Sequence, residues 1–167
     1  MKILIVSDTH GRNHYYLNTM KRVSPIDLVI HLGDLEGGEE YIRSITHCPI
    51  EFVSGNNDFF NFLPKEKTIQ IGKYNVFLTH GHRYGVNFGM SHLEELAKKD
   101  HYDIVMFGHT HMPTINLTDG IWMINPGSLG FPRQQNRIPT FIVMDIDSVG
   151  NAHFTLNYYK ENDFKGR

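Results

Sequence analysis

Apolar and polar positions change their periodicity several times along the chain. "KILIV" is a nearly unbroken apolar run, which predicts a strand buried on both faces. "NHYYLNTMKRV" places Tyr16, Met20 and Val23 at helical spacing. "DLVIHL" predicts a second strand, "GEEYIRSI" a short helix and "IEFVS" a third strand. That alternation predicts parallel strands joined by right-handed crossovers. Beyond it, "KTIQIGKYNVFLTH" carries two apolar runs split by Gly72-Lys73, a hairpin signal. "MSHLEELAKKD" sets Met90, Leu93, Leu96 and Ala97 on one helical face, and "YDIVMFG" predicts another buried strand. "TINLTDGIWMIN" contains Asp119-Gly120, a strong short hairpin turn, and "TFIVMDID" and "AHFTLNYY" meet around Gly150.

These elements predict an α/β fold of two packed mixed sheets with helices on the outer faces. The chain reads as a single domain over residues 1–167, with "KENDFKGR" a polar, frayed tail. A length of 167 residues suits one well-filled core. The net charge of −2 excludes general nucleic-acid binding, so any anion must be attracted locally. Cys48 is the only cysteine, which excludes an internal disulfide and a CxxC metal knuckle. No span is long enough to cross a bilayer, and the N-terminal apolar run is too short for a signal-peptide core, so a cytoplasmic location is expected.

Histidine is abundant, with 11 residues. Asp8 and His10 follow the first predicted strand, Asp34 the second, and Asn56 the third. His80 follows the hairpin strand, and His109 and His111 follow "DIVMF". All therefore fall at strand C-termini, the edge where sheets with parallel strands bind ligands. Carboxylates, imidazoles and an amide oxygen without thiolates suit manganese, iron, zinc or nickel. Seven such side chains are too many for one ion and about right for two if Asp34 bridges. Two divalent cations against Asp8 and Asp34 leave a net positive centre, which attracts phosphate although the protein is mildly acidic. A pair of ions about 3.5–4 Å apart can hold both the attacking and the leaving side of a phosphoryl centre.

"SDTHG", "LGDLEG", "SGNND", "LTHGH", "FGHTHMP" and "NPGSLGFPR" resemble the signature blocks of the calcineurin-like metallophosphoesterases. The resemblance runs from Met1 to about Tyr159 and is greatest to the small single-domain bacterial and archaeal phosphodiesterases. It implies a four-layer α-β-β-α sandwich. It also implies that Asp8, His10 and His111 bind one metal, that Asn56, His80 and His109 bind the other, and that Asp34 bridges them. The implied activity is hydrolysis of a small phosphodiester by in-line attack of a metal-bridging hydroxide. Manganese is the first expectation for the two divalent ions, with nickel, zinc, iron and magnesium also compatible. The retromer's phosphoesterase-like subunit shares this fold, so a non-enzymatic interaction scaffold is the alternative. The presence of His10 and of every other expected ligand favours the enzyme.

Asn57 departs from the Gly-Asn-His pattern of many larger members, and an amide cannot serve as a general acid near neutral pH. It can donate a hydrogen bond to a phosphoryl oxygen, so diesters and activated esters are expected to be preferred. Asp58 is expected to brace the turn or to orient a ligating histidine. His82 is assigned to catalysis or to support of a ligand, and Arg133 to a substrate phosphate. Asn125 and Ser128 would support the metal loops, and Tyr84 and Phe131 are read as core or as an apolar pocket wall. His31, inside a strand, reads as a hydrogen-bonded structural residue. The edges of the final hairpins leave room for a homodimer.

Overall fold

Ten strands and three helices make up the structure, a computed structural model that describes residues 1–59 and 62–161. One sheet has the order β10-β9-β1-β2-β3, from Ala152–Tyr158, Thr140–Ile146, Lys2–Val6, Leu28–His31 and Ile50–Phe52. The other has the order β4-β5-β6-β8-β7, from Glu66–Ile71, Tyr74–Thr79, Ile104–Met106, Ile121–Pro126 and Pro113–Thr118. Each sheet is mixed. The strands β1, β2 and β3 are parallel, with β9 antiparallel to β1 and β10 antiparallel to β9. Likewise β5, β6 and β8 are parallel, with β4 and β7 antiparallel at the edges. Helices α1 (Asn13–Val23), α2 (Glu39–Ile45) and α3 (Ser91–Asp100) complete the fold.

The apolar run of β1 follows from its position. Ile3 and Ile5 face the second sheet and join Ile30, Leu78, Ile104 and Ile124 in the core between the sheets. Leu4 and Val6 point the other way, into a core with Tyr16, Met20 and Val23 of α1 and Ile42 of α2. On the far side, Leu93 and Ala97 of α3 pack on Phe77, Val105 and Met123. The layers are therefore helix, sheet, sheet, helix. The expected fold class is the observed one: an α/β sandwich of two mixed sheets flanked by three helices. Each fully buried Leu or Ile contributes about 1.5–3 kcal/mol. Those three cores are what hold the loops at the sheet edge in place.

The two expected hairpin turns close as read, with Ile71 paired to Tyr74 and Thr118 to Ile121. Of the expected frayed tail, residues 162–167 lie outside the described residues. Among the described residues, no helix is long and apolar enough to cross a membrane.

Candidate metal centre

Parallel strands bring their C-terminal loops to one edge, and backbone geometry there turns the side chains inward. Asp8, His10, Asp34, His109 and His111 all have positive φ, between 46° and 67°. Left-handed backbone is uncommon for residues other than glycine, and each instance costs about 1–3 kcal/mol. In each pair two apart, Asp8/His10 and His109/His111, both members take the left-handed turn. Glycines allow the loops to close upon one another. A Cβ on Gly55 would collide with the Asp34 carboxylate, and one on Gly108 with Ser7 Oγ and Asp8 Oδ2.

Asp8, His10, Asp34 and His111 each offer a ligand atom within 4.8 Å of the others and form a candidate metal-binding site. His111 Nε2 lies 3.0 Å from Asp8 Oδ1 and 3.2 Å from His10 Nε2. His10 Nε2 is 3.7 Å from both Asp8 Oδ1 and Asp34 Oδ2. His80 joins them, its Nε2 at 3.5 Å from Asp34 Oδ2 and 3.9 Å from Asp8 Oδ1.

Whether metal ions fit here follows from the opposite nitrogen of each ring. Nδ1 of His80 donates to the Leu32 carbonyl at 2.7 Å, and Nδ1 of His111 to the Phe131 carbonyl at 2.6 Å. His10 Nδ1 donates to Glu36 Oε1 at 2.7 Å. With those protons committed, three Nε2 lone pairs converge on Asp8 Oδ1 and Asp34 Oδ2, the latter also receiving the Asn57 amide. Asp8 Oδ1 and His80 Nε2 are buried and have no hydrogen-bond partner. A buried cluster so rich in acceptors and so poor in donors favours a cation. Oxygen and imidazole donors whose far nitrogens are fixed by other groups suit a borderline divalent ion. The set is capable of binding two divalent ions and is consistent with a dinuclear phosphoesterase centre.

Without an ion, protons answer the same need. Burial opposes charge on His10, but Asp8 and Glu36 outweigh it and raise His10 to about 9. Burial likewise opposes a charged His80, and the Asp34 and Asp8 carboxylates push it up. Asp8, against the effect of its burial, is held well below the usual carboxylate range by His10, His111 and His80.

The remaining predicted residues lie around this group. The His109 ring packs against His80 with centroids 5.1 Å apart, and the Asn87 amide meets its Nε2 at 2.9 Å. Burial and the neighbouring His80 keep His109 below its ordinary value. The same two influences lower His82, whose ring lies 5.5 Å from His80 and 6.0 Å from His109 with a buried, unpartnered Nδ1. Asn56 is exposed, in the turn that follows β3. Asn57 reaches it, donating from its amide to Asp34 Oδ2 at 2.8 Å and from its backbone to Asp34 Oδ1 at 2.9 Å. Arg133 is exposed in a cleft of about 560 Å³ bordered by His10 and His111. A similar-sized apolar groove between α1 and α2, beside Cys48, is lined by none of the predicted site residues.

Several supports match their expected positions. Asp58 accepts four backbone N–H groups, from Asp34 and Gly55 on Oδ2 and from Leu35 and Glu36 on Oδ1, at 2.7–2.9 Å. It braces two loops and touches no histidine ring. Asn125 donates to the Gly108 carbonyl, and the Ser128 hydroxyl to the Asp8 carbonyl. His31 is fully buried, accepts from Gly33 N–H and meets the Thr9 hydroxyl at 3.1 Å. Tyr84 packs with the third core, whereas Phe131 lines the cleft.

Sequence reasoning missed Glu36, Asn87, Arg12 and Arg137. Glu36 lies inside the quoted block "LGDLEG", a signal that was available. Arg12 follows His10 by two residues and Arg137 follows Arg133 by four, but the sequence does not show that their loops share one cleft, and Asn87 carries no signal.

Residues 1–149 match the calcineurin-like phosphoesterase superfamily domain. A Bacillus subtilis protein named "Probable metallophosphoesterase YsnB" is 30% identical over 162 residues, covering 96% of this chain and 92% of that protein. A phosphodiesterase of Methanocaldococcus jannaschii is 30% identical over 169 residues, covering 88% and 94%. The crystal structure of a predicted phosphoesterase from Streptococcus pneumoniae superposes with a TM-score of 0.77 at 26% identity, covering 93% and 97%. The chain belongs to the calcineurin-like phosphoesterase superfamily.

Proposed function

We propose that the protein is a dinuclear metal-dependent phosphodiesterase acting on a small phosphodiester. The observation that carries this reading is the convergence of three imidazole Nε2 atoms and two carboxylate oxygens, with Asp8 Oδ1 and His80 Nε2 buried and unpartnered. In this reading Asp8, His10 and His111 hold one ion, Asn56, His80 and His109 the other, and Asp34 lies between them. Manganese is the first candidate. The bound ions would offset phosphoryl charge and make water nucleophilic at neutral pH.

The chain's own side chains do the rest. Glu36 and the carbonyls of Leu32 and Phe131 fix the three imidazoles with their lone pairs inward. Asn57, engaged with Asp34, offers an amide and no acid to a departing alkoxide. His82, whose imidazole burial and the neighbouring His80 push below its ordinary value, offers a hydrogen bond to the bound phosphoryl group. Diesters and activated esters, whose leaving groups need little protonation, are the expected substrates. The M. jannaschii relative, named a phosphodiesterase, supports the same class.

Metal-stripped protein assayed with bis-p-nitrophenyl phosphate and p-nitrophenyl phosphate tests this. Manganese, nickel, zinc or magnesium is added back singly, with His109→Ala and Asn56→Ala as controls. Metal-dependent turnover of the diester, lost in both variants, is the expected result. Metal uptake without turnover by any ion would refute the enzyme and favour the interaction scaffold.

A further inference from the structure

The cleft beside His10 and His111 has a charge that the phosphodiesterase reading does not use. Its lining includes three arginines, Arg12, Arg133 and Arg137, and no carboxylate. Arg12 is fixed in place: its guanidinium lies 3.8 Å over the Phe131 ring, and Nη1 donates to the Gly130 carbonyl at 3.1 Å. Arg133 is tied to the centre by its backbone N–H, which donates to the His111 carbonyl at 3.1 Å. Arg137 lines the same cleft from left-handed backbone, with a φ of 51°.

Among the described residues, none of these three guanidiniums has an ion-pair partner. Glu36 is committed to His10, and Glu161 lines another pocket together with Arg137 without an ion pair to it. Three guanidiniums lining one cavity with no carboxylate among them give it a positive field that favours an anion. At about 560 Å³ the cleft is within the range of ligand pockets, roughly 300–1,000 Å³, and holds far more than the scissile phosphoryl group.

We propose that the substrate carries a second phosphate, remote from the phosphorus attacked, which this arginine cleft binds. The inference rests on the phosphodiesterase reading and names its substrate class: a phosphodiester with a terminal phosphate monoester. A phosphate monoester dianion presents three acceptor oxygens, which suits several guanidinium forks, whereas a carboxylate uses one fork. The order of groups follows from the fold. The cleft adjoins the His10/His111 side of the centre, so the phosphorylated arm extends that way from the scissile phosphorus.

The test compares two diesters with the same leaving group on the manganese-loaded full chain. These are thymidine 5′-(p-nitrophenyl phosphate) and its 3′-phosphorylated form. A 3′-succinyl ester supplies a carboxylate in place of the phosphate. The 3′-phosphate is expected to raise kcat/KM by about 10-fold or more, mainly through KM. In the Arg133→Gln/Arg137→Gln double variant the ratio between the two should fall close to one. Both positions are exposed, so the variant is expected to fold. Calorimetry on the manganese-loaded protein, with thymidine 3′,5′-bisphosphate against the 5′-monophosphate, reads the cleft without turnover, because the ions would take one phosphate and leave the cleft to the other.

Preferential bisphosphate binding that the double variant loses supports the cleft even if neither diester is hydrolysed, a result that would overturn only the phosphodiesterase reading. Turnover of both diesters with equal kcat/KM, and equal affinity for the two nucleotides, would overturn the cleft and leave the enzyme standing. An equal gain from the succinyl ester would overturn the assignment to phosphate.

Discussion

Asp58→Asn is the sharpest test of how the centre is held. The Asp58 carboxylate receives four backbone N–H groups, two on each oxygen, and so binds the Asp34–Glu36 loop to the Gly55–Asp58 turn. Asparagine keeps one oxygen. Whichever way the amide settles, two backbone N–H groups then face an NH2 group and lose their acceptor. Each donor left unpaired costs about 1–3 kcal/mol where it is shielded from water, so roughly 2–6 kcal/mol is expected for the pair, less if the exposed Glu36 N–H is one of them. For a chain of this size that lowers the midpoint of thermal unfolding by roughly 5–15 °C. The Asp34 backbone N–H is one of the four, so the same change loosens the carboxylate at the heart of the centre. Metal affinity, measured by competition with a chromogenic chelator, is expected to fall by about 10- to 100-fold. Asp119→Asn is the control, because that carboxylate is exposed and bonded to Lys98 alone. An Asp58→Asn protein that unfolds and binds metal like the parent would refute the bracing role, as would an equal loss in Asp119→Asn.

Titration gives a second prediction with two separate windows, read by chemical unfolding of metal-free protein against pH. Burial lowers His31 to about 4, so between that value and about 6.5 the unfolded chain takes up a proton that the folded one does not. Stability therefore falls by about 3 kcal/mol on acidification through that window, and His31→Gln should flatten it. His10 is raised, so its contribution is complete below about 6.5 and is lost as pH rises through about 9; Glu36→Gln should shrink that alkaline loss. An unchanged slope in either variant would show that another group governs its window. Gly108→Ala places a Cβ against Ser7 and Asp8 at a site with no room for it and is expected to abolish metal binding, whereas Gly120→Ala, in open space, should bind metal normally. Asn57→His restores an imidazole beside Asp34 and is expected to raise turnover of p-nitrophenyl phosphate relative to the diester; a ratio that does not move would show that position 57 has no part in leaving-group departure.

Local sequence determined the elements and their turns. Hydrophobic periodicity is a property of neighbouring residues, so "KILIV" declares a strand buried on both faces and Tyr16, Met20 and Val23 a helix face before any contact is known. Strand ends were equally legible, which is why Asp8, His10, Asp34, His80, His109 and His111 could be referred to one sheet edge. Which of these groups meet, and through which atoms, was decided by tertiary structure. Strand β9, from the far end of the chain, pairs with β1 and brings the Ser128–Phe131 loop against Asp8 and Arg12. No local pattern encodes a bond between residues 118 or 120 positions apart. The same holds for the four N–H groups on Asp58, the carbonyls that commit the far nitrogens of His80 and His111, and the unpaired arginines of the cleft. Left-handed backbone at five of the candidate ligands is the clearest case. Their intrinsic preferences oppose it, and only the burial of three packed cores is large enough to hold those side chains inward.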